Sequence, residues 1–176
     1  MFFRTLLLAA LTIAWGTAHA AVIFNEVEPN NTWATANLIV SHDGTIIIIG
    51  SRVGDSSPDY FRFPVLAGDI LYASVCCAGD PMLGLFDPSG NYVLGDDDSG
   101  PGYMPYFAYT IPASGLWTIA VTGWPDWGFV GGGSAGWSYQ ATFSMQRAAG
   151  SEIPEPGSWG LMAAGLAVVV ALRRRC

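Results

Sequence analysis

Tyr60-Phe61-Arg62-Phe63-Pro64-Val65, Leu66-Ala67-Gly68-Asp69 and Ile70-Leu71-Tyr72-Ala73-Ser74-Val75 follow one another without a break. Within the first stretch Phe61, Phe63 and Val65 fall on one side of an extended chain, while Tyr60 and Arg62 fall on the other. Ala67-Gly68-Asp69 is turn chemistry, so the whole reads strand, turn, strand. Working outward, further apolar runs of strand length cover 46–49, 82–86, 92–94, 107–111, 117–121 and 139–145. Between them lie Val53-Gly54-Asp55-Ser56-Ser57-Pro58, Asp87-Pro88-Ser89-Gly90-Asn91 and Pro112-Ala113-Ser114-Gly115, again turn formers. Strands at this spacing, with no amphipathic helical stretch among them, predict an all-β antiparallel sandwich of about eight short strands. Only residues 31–40 suggest a helix, and a brief one.

The chain has 176 residues, enough for one ordinary domain. Charged residues make up 12% and apolar residues 51%, which excludes a disordered polyampholyte and leaves ample material for a core. Charge is unevenly placed: Arg4 and Arg173 to Arg175 lie near the ends, and residues 21–152 hold thirteen acidic residues against three arginines. An acidic body of this kind repels phosphate backbones, so nucleic acid is excluded as a partner, whereas cations and cationic surfaces are attracted.

Both ends carry export chemistry. Residues 1–20 combine Arg4, an apolar run from Leu6 to Trp15 and the small-residue pattern Ala18-His19-Ala20. This is the layout of a secretory signal peptide cut after Ala20 by signal peptidase. At the other end, the apolar run 159–172 precedes Arg173-Arg174-Arg175 and Cys176. As a helix it rises about 21 Å, short of the ~30 Å hydrocarbon core, so membrane contact through 159–172 requires adjustment. The arginines would stay cytoplasmic, leaving the preceding chain on the far side, in agreement with the signal peptide. Ile153-Pro154-Glu155-Pro156 blocks helix and sheet and leaves an extended, accessible segment. The expected organisation is therefore a signal peptide over 1–20, a β-sandwich domain over 21–148, and a linker with sorting signal over 149–176.

Pro154-Glu155-Pro156, a short apolar helix containing Gly165-Leu166 and a terminal Arg cluster resemble the PEP-CTERM sorting signal of Gram-negative bacteria. The resemblance implies recognition by exosortase, a membrane-embedded cysteine transpeptidase, with cleavage near Pro154 to Pro156 and a cell-surface or extracellular fate. A permanent single-pass anchor is the alternative.

A second resemblance runs through the body. Its pieces are Glu26-Val27-Glu28-Pro29-Asn30-Asn31-Thr32, Gly54-Asp55-Ser56-Ser57-Pro58-Asp59-Tyr60-Phe61, Ala67-Gly68-Asp69, Leu85-Phe86-Asp87-Pro88-Ser89-Gly90, Gly95-Asp96-Asp97-Asp98 and Gly115-Leu116-Trp117. In that order and spacing they are similar to the bacterial pre-peptidase C-terminal domain, which implies a jelly-roll-like sandwich.

Glu26, Glu28, Asn30 and Asn31 form the densest group of oxygen ligands. Calcium is a hard cation that takes six to eight oxygens, and Glu26, Glu28 and Asn30 alternate so that their side chains share one face. In calcium-binding relatives of the resembled domain such a segment is completed by two aspartates before an aromatic pair, here Asp55 and Asp59 ahead of Tyr60-Phe61. Pro29 and Pro58 depart from that pattern. The plainer alternative is that these polar groups are only solvated.

Other chemistry has fewer parts. Asp96-Asp97-Asp98-Ser99-Gly100 is no EF-hand, because Pro101 and Phe107 occupy the places of its glycine and its last glutamate; a solvated turn is expected. His42 is the body's single histidine, so neither a multi-histidine zinc site nor a conventional catalytic triad is available. Cys76 and Cys77 are adjacent; a disulfide between neighbours is strained, and the alternatives are pairing between molecules or burial as small hydrophobes. The loop from Trp124 to Trp137 sets three tryptophans and Phe129 among glycines. Its aromatics either cap the sandwich or form a ligand platform at Trp124 and Trp127. A divided outcome is expected, with Trp137 structural and Trp127 exposed.

The reading that follows is an exported, non-enzymatic, calcium-stabilised binding or matrix module. Extracellular polysaccharide or protein is its partner. A secreted hydrolase, or an accessory domain for a separately encoded peptidase, is the competing reading.

Overall fold

The structure is a computed structural model and describes residues 20–40, 44–76 and 79–148. His42, Cys77, most of the signal peptide and the whole sorting tail lie outside the described residues.

Ten strands form among the described residues: β1 (Val22–Asn25), β2 (Asn37–Leu38), β3 (Gly44–Ser51), β4 (Asp59–Val65), β5 (Ile70–Cys76), β6 (Pro81–Phe86), β7 (Tyr92–Asp96), β8 (Tyr106–Thr110), β9 (Gly115–Gly123) and β10 (Ser138–Gln146). They make two five-stranded sheets, ordered β1-β3-β10-β5-β8 and β2-β4-β9-β6-β7. From β1 to β6 each strand lies in the sheet opposite its predecessor, and the alternation resumes after the β6–β7 hairpin. Such switching is the jelly-roll-like habit, and it makes most pairings distant in sequence.

The eight runs read from the sequence fall one each on strands β3 to β10, with Ile111 one residue past β8. Two further strands, β1 and β2, are short edge strands that pair in parallel with β3 and β4; every other pairing is antiparallel. Residues 31–40 carry only the helical turn Trp33–Thr35, which Thr32 and Thr35 close through a reciprocal capping box.

Alternation places the core. Phe61, Phe63 and Val65 of β4 are buried against Ile46 and Ile48 of β3 and Ala141, Phe143 and Met145 of β10. Phe63 stacks on Phe143 at 5.8 Å between ring centroids. The opposite face of β4 is used too: Tyr60 joins Phe86, Ala120 and Phe129 in a second cluster outside the sheet, with Trp33 packed against it. Arg62, on that same face, lies over the Trp33 ring at 4.1 Å and donates to its carbonyl. Cys76 at the end of β5 is disulfide-bonded.

Register divides the sandwich into two poles. Val22 pairs with Ile46, Met145 with Gly44, Ile70 with both Gln146 and Thr110, and Val65 with Gly115. The chain therefore enters and leaves at one pole, where the guanidinium of Arg147 pairs with buried Asp69. Loops 26–31, 52–58 and 124–137 gather at the other.

The aromatic loop 124–137 is divided. Phe129 and Trp137 are buried, Trp137 at 6% exposure beneath the guanidinium of Arg52, while Trp124 and Trp127 are 44% and 46% exposed. Removing Trp137 leaves a cavity, removing Trp127 does not. Trp137→Ala is expected to cost ~3 to 5 kcal/mol in chemical denaturation and Trp127→Ala less than about 1 kcal/mol.

Candidate metal centre

Glu26 and Glu28 lie just past the end of β1, in the segment that leaves the first sheet, with Glu28 at a bend. The main chain then crosses to the second sheet, where the amide N–H of Tyr60 donates to the Asn30 carbonyl at 3.0 Å. This contact delivers the segment to Asp59, the first residue of β4. Carboxylate oxygens of Glu26, Glu28 and Asp59 all lie within 4.8 Å of one another. Two oxygens on opposite sides of one calcium ion stand about 5 Å apart, so this spacing suits a single central cation.

Each carboxylate is oriented by a hydrogen bond. Glu26 Oε2 accepts from the Ser51 amide at 2.8 Å, and Glu26 Oε1 accepts from Asn30 Nδ2 at 3.0 Å. Glu28 Oε2 accepts from the Asn30 amide at 3.0 Å. Tyr139 Oη donates to Asp59 Oδ2 at 2.8 Å and reaches Glu26 Oε1 at 3.5 Å. Tyr139 stands across the pair of strands from Gly50, and a Cβ at that position would lie 2.2 Å from the tyrosine ring. Glycine there is what lets the phenol reach the carboxylates. Burial grades outward, from Asp59 at 1% exposure through half-buried Glu26 to exposed Glu28, which leaves an open side toward solvent.

Asn30 is fully buried, and its Oδ1 has no hydrogen-bond partner. A half-turn of the amide exchanges Oδ1 and Nδ2, which would turn an oxygen toward Glu26. That arrangement is favourable only with a cation between them. Asn31 Oδ1 accepts from the Asn30 amide at 3.1 Å and shapes the loop. Asp55 stands apart from the three-carboxylate group: its Oδ1 accepts from the Ser57 amide at 2.7 Å, and that bond holds its carboxyl below the ordinary range. The Glu28–Pro29 peptide is cis.

Charge repulsion is written into the protonation equilibria. Burial first, and then the neighbouring Glu26, pushes the Asp59 carboxyl up to about 8 against the opposing hydrogen bond from Tyr139. Desolvation raises Glu28 as well, with Glu26 and Asp55 adding to it and the Asn30 amide opposing it. Tyr139 is driven well above its ordinary value by burial and then by Asp59, so it remains a donor. Fully buried Arg52 lies near, but its hydrogen bonds go to the carbonyls of Ser56, Ser57 and Ser134, not to a carboxylate.

Sequence reasoning missed Tyr139. A tyrosine in a strand whose alternate residues are apolar needs an acceptor for its hydroxyl, and that was the available signal. Ser51, which contributes only its backbone, leaves no such trace.

The pH dependence follows from Asp59. Its folded value lies above its unfolded value, so between about 4 and about 8 the folded state holds a proton the unfolded state has released. Stability in chelator is expected to fall as pH rises through that window, and Asp59→Asn to flatten the fall. Denaturant titrations at stepped pH measure both; an undiminished slope in Asp59→Asn would assign the titration to other groups.

Residues 152–175 match the PEP-CTERM protein-sorting motif. No curated protein matches the chain in sequence. Among solved structures the chain is similar to PliG of Aeromonas hydrophila, a periplasmic inhibitor of g-type lysozyme, at 15% identity and TM-score 0.49, covering 72% of this chain and 100% of that one. It is also similar to the pre-peptidase C-terminal domain of a Bacillus anthracis collagenase, at 19% identity and TM-score 0.44, covering 63% and 94%. A third likeness is to PliG of Salmonella Typhimurium, at 17% identity and TM-score 0.43, covering 63% and 100%. The carboxyl-terminal motif marks the chain as an exported protein that exosortase processes.

Proposed function

We propose that the body over residues 21–148 is a non-catalytic, calcium-stabilised binding or matrix module, released by exosortase to the cell surface or the extracellular polymer. The observation that carries this reading is the convergence of Glu26, Glu28 and Asp59 around the buried amide of Asn30. The donors are all oxygen, which suits a hard cation and not zinc. Calcium bound there would relieve the mutual repulsion of the carboxylates and clamp the amino-terminal segment to β4.

A hydrolase would use such a carboxylate pair differently. Its acid and its nucleophile or base must flank a substrate bond in an open cleft. Asp59 is buried beneath Tyr139 and only Glu28 is exposed, an arrangement that supports an ion between the groups over a glycosidic bond.

Binding to the folded state alone raises stability by mass action. The melting temperature is therefore expected to climb with calcium and to fall back with chelator. Glu28→Ala or Asp59→Ala should abolish the response, and Asp97→Ala should leave it. An unchanged melting curve across calcium concentrations would remove the site.

Processing is tested separately by intact mass. Protein from a host with exosortase should end near Pro154 to Pro156 and lack Arg173 to Arg175, whereas a surface form that retains the arginines would leave the permanent-anchor reading.

A further inference from the structure

The pole opposite the chain exits presents a second feature that the calcium site does not use. Trp124 and Trp127 stand half exposed with their rings edge to face, 6.0 Å between centroids. Neither is a loose side chain on a loose loop. The Trp124 amide donates to the Asp80 carbonyl at 2.9 Å, and the Ser134 amide returns to the Trp124 carbonyl at 2.8 Å. Asp126, buried between them in sequence, accepts from Thr122 Oγ1, the Val130 amide and the Gly131 amide. Arg52 donates to the Ser134 carbonyl from inside. Gly133 crosses so close to Gly123 that a Cβ on it would lie 1.8 Å from the Gly123 carbonyl oxygen. Phe129, at φ +51 in the left-handed region, is held there by Tyr60 Oη donating to its carbonyl at 2.7 Å. The loop buries Phe129 and Trp137 and leaves two indoles outside on a fixed frame, which removes most of the ordering cost of binding.

Carboxylates lie at the same pole. Asp80 sits across the end of the β6–β9 pairing from Trp124, and the β7 end brings Asp96, Asp97 and Asp98 into its field. Asp96 is occupied by Ser99 and by the Tyr106 amide. Asp80 and Asp98 are exposed, and no hydrogen bond or ion pair among the described residues engages their carboxylates. Desolvation, followed by Asp97, Asp80 and Asp96, holds Asp98 above its ordinary range.

We propose that this pole binds a polymer of hexosamine units with free amines, stacking a sugar ring on Trp127 and Trp124 and taking its ammonium groups at Asp80 and Asp98. The proposal rests on the reading of the chain as an exported binding module and names its ligand class. Aromatic faces accept the C–H side of a pyranose ring and attract a nearby ammonium, and unpaired carboxylates complete the charge match. Size favours a sugar over a protein. Two half-exposed tryptophans offer on the order of 200 Å², against the ~800 Å² that each partner of a standard protein interface contributes. Position agrees: the chain leaves toward the sorting motif at Arg147, at the far pole, so the indoles face away from the point of attachment.

The test titrates the full-length protein in detergent with a hexamer of β-linked glucosamine, its fully N-acetylated counterpart and polylysine. It is run at about pH 6, where exposed aspartates are ionised. The free-amine hexamer should bind at least about tenfold more tightly than the acetylated one. Trp127→Ala, with an unchanged melting temperature, should weaken binding by about tenfold. The pair Asp80→Asn with Asp98→Asn should erase the preference for free amines while sparing the acetylated hexamer. Should Trp127→Ala fold poorly, Trp124→Tyr and the aspartate pair carry the same comparison. Equal binding of both hexamers, no binding, or tight polylysine binding indifferent to Trp127→Ala would overturn the proposal. The calcium melting shift is read on the same samples: its persistence without hexosamine binding overturns this proposal alone, and its loss alone overturns the calcium reading.

Discussion

A carboxyl group buried at the first residue of a central strand sets the terms for this protein. Asp59 is out of water, next to Glu26 and Glu28, and the adjacent cation, Arg52, spends its donors on backbone carbonyls. Burying negative charge without a hydrogen-bonded counter-ion costs several kcal/mol unless the group takes a proton or a metal. Tyr139 offsets part of that cost with one hydrogen bond. The remainder is met by protonation, since burial and Glu26 push the carboxyl well above its ordinary range, or by a divalent cation. A single constraint thus links the strand register that places Tyr139 opposite Gly50, the crossing of the amino-terminal segment between sheets, and the protein's response to pH.

The alternation of strands between sheets has a functional consequence. Each crossing loop is delivered to one of two poles, and chemistry sorts between them. Chain entry and exit share one pole with the Arg147–Asp69 pair. The other collects the carboxylate cluster, the acidic end of β7 and the aromatic loop.

Strands β3 to β10 were legible because each has a run of alternating apolar residues bounded by glycine, proline or aspartate, and burial rewards that pattern directly. β1 and β2 were not, since four and two residues are too few to show a period and their parallel pairing comes from a crossing that no local signal encodes. The same split holds at the carboxylate cluster. Glu26, Glu28 and Asn30 were visible through their spacing, and Asp59 through the resemblance of its segment to a known domain. Asp55 lies outside the three-carboxylate group, with Oδ1 held by the Ser57 amide in a local turn. Tyr139 stayed hidden because it lies 113 residues from Glu26, and only the register of β10 on β3 brings them together. In the aromatic loop, glycines flanking Trp127 pointed to its exposure, whereas the turn that drives Phe129 under the sheet depends on Tyr60 and Asp126.

A cation held by Glu26, Glu28 and Asp59 would tie the amino-terminal segment to both sheets. Hydrogen exchange at the Ser51 and Tyr60 amides reads that tie directly, because the first donates to Glu26 and the second to the Asn30 carbonyl. Calcium is expected to slow exchange at both amides while amides in the middle of β9 change little. Equal exchange with calcium and with chelator at Ser51 and Tyr60 would contradict the account.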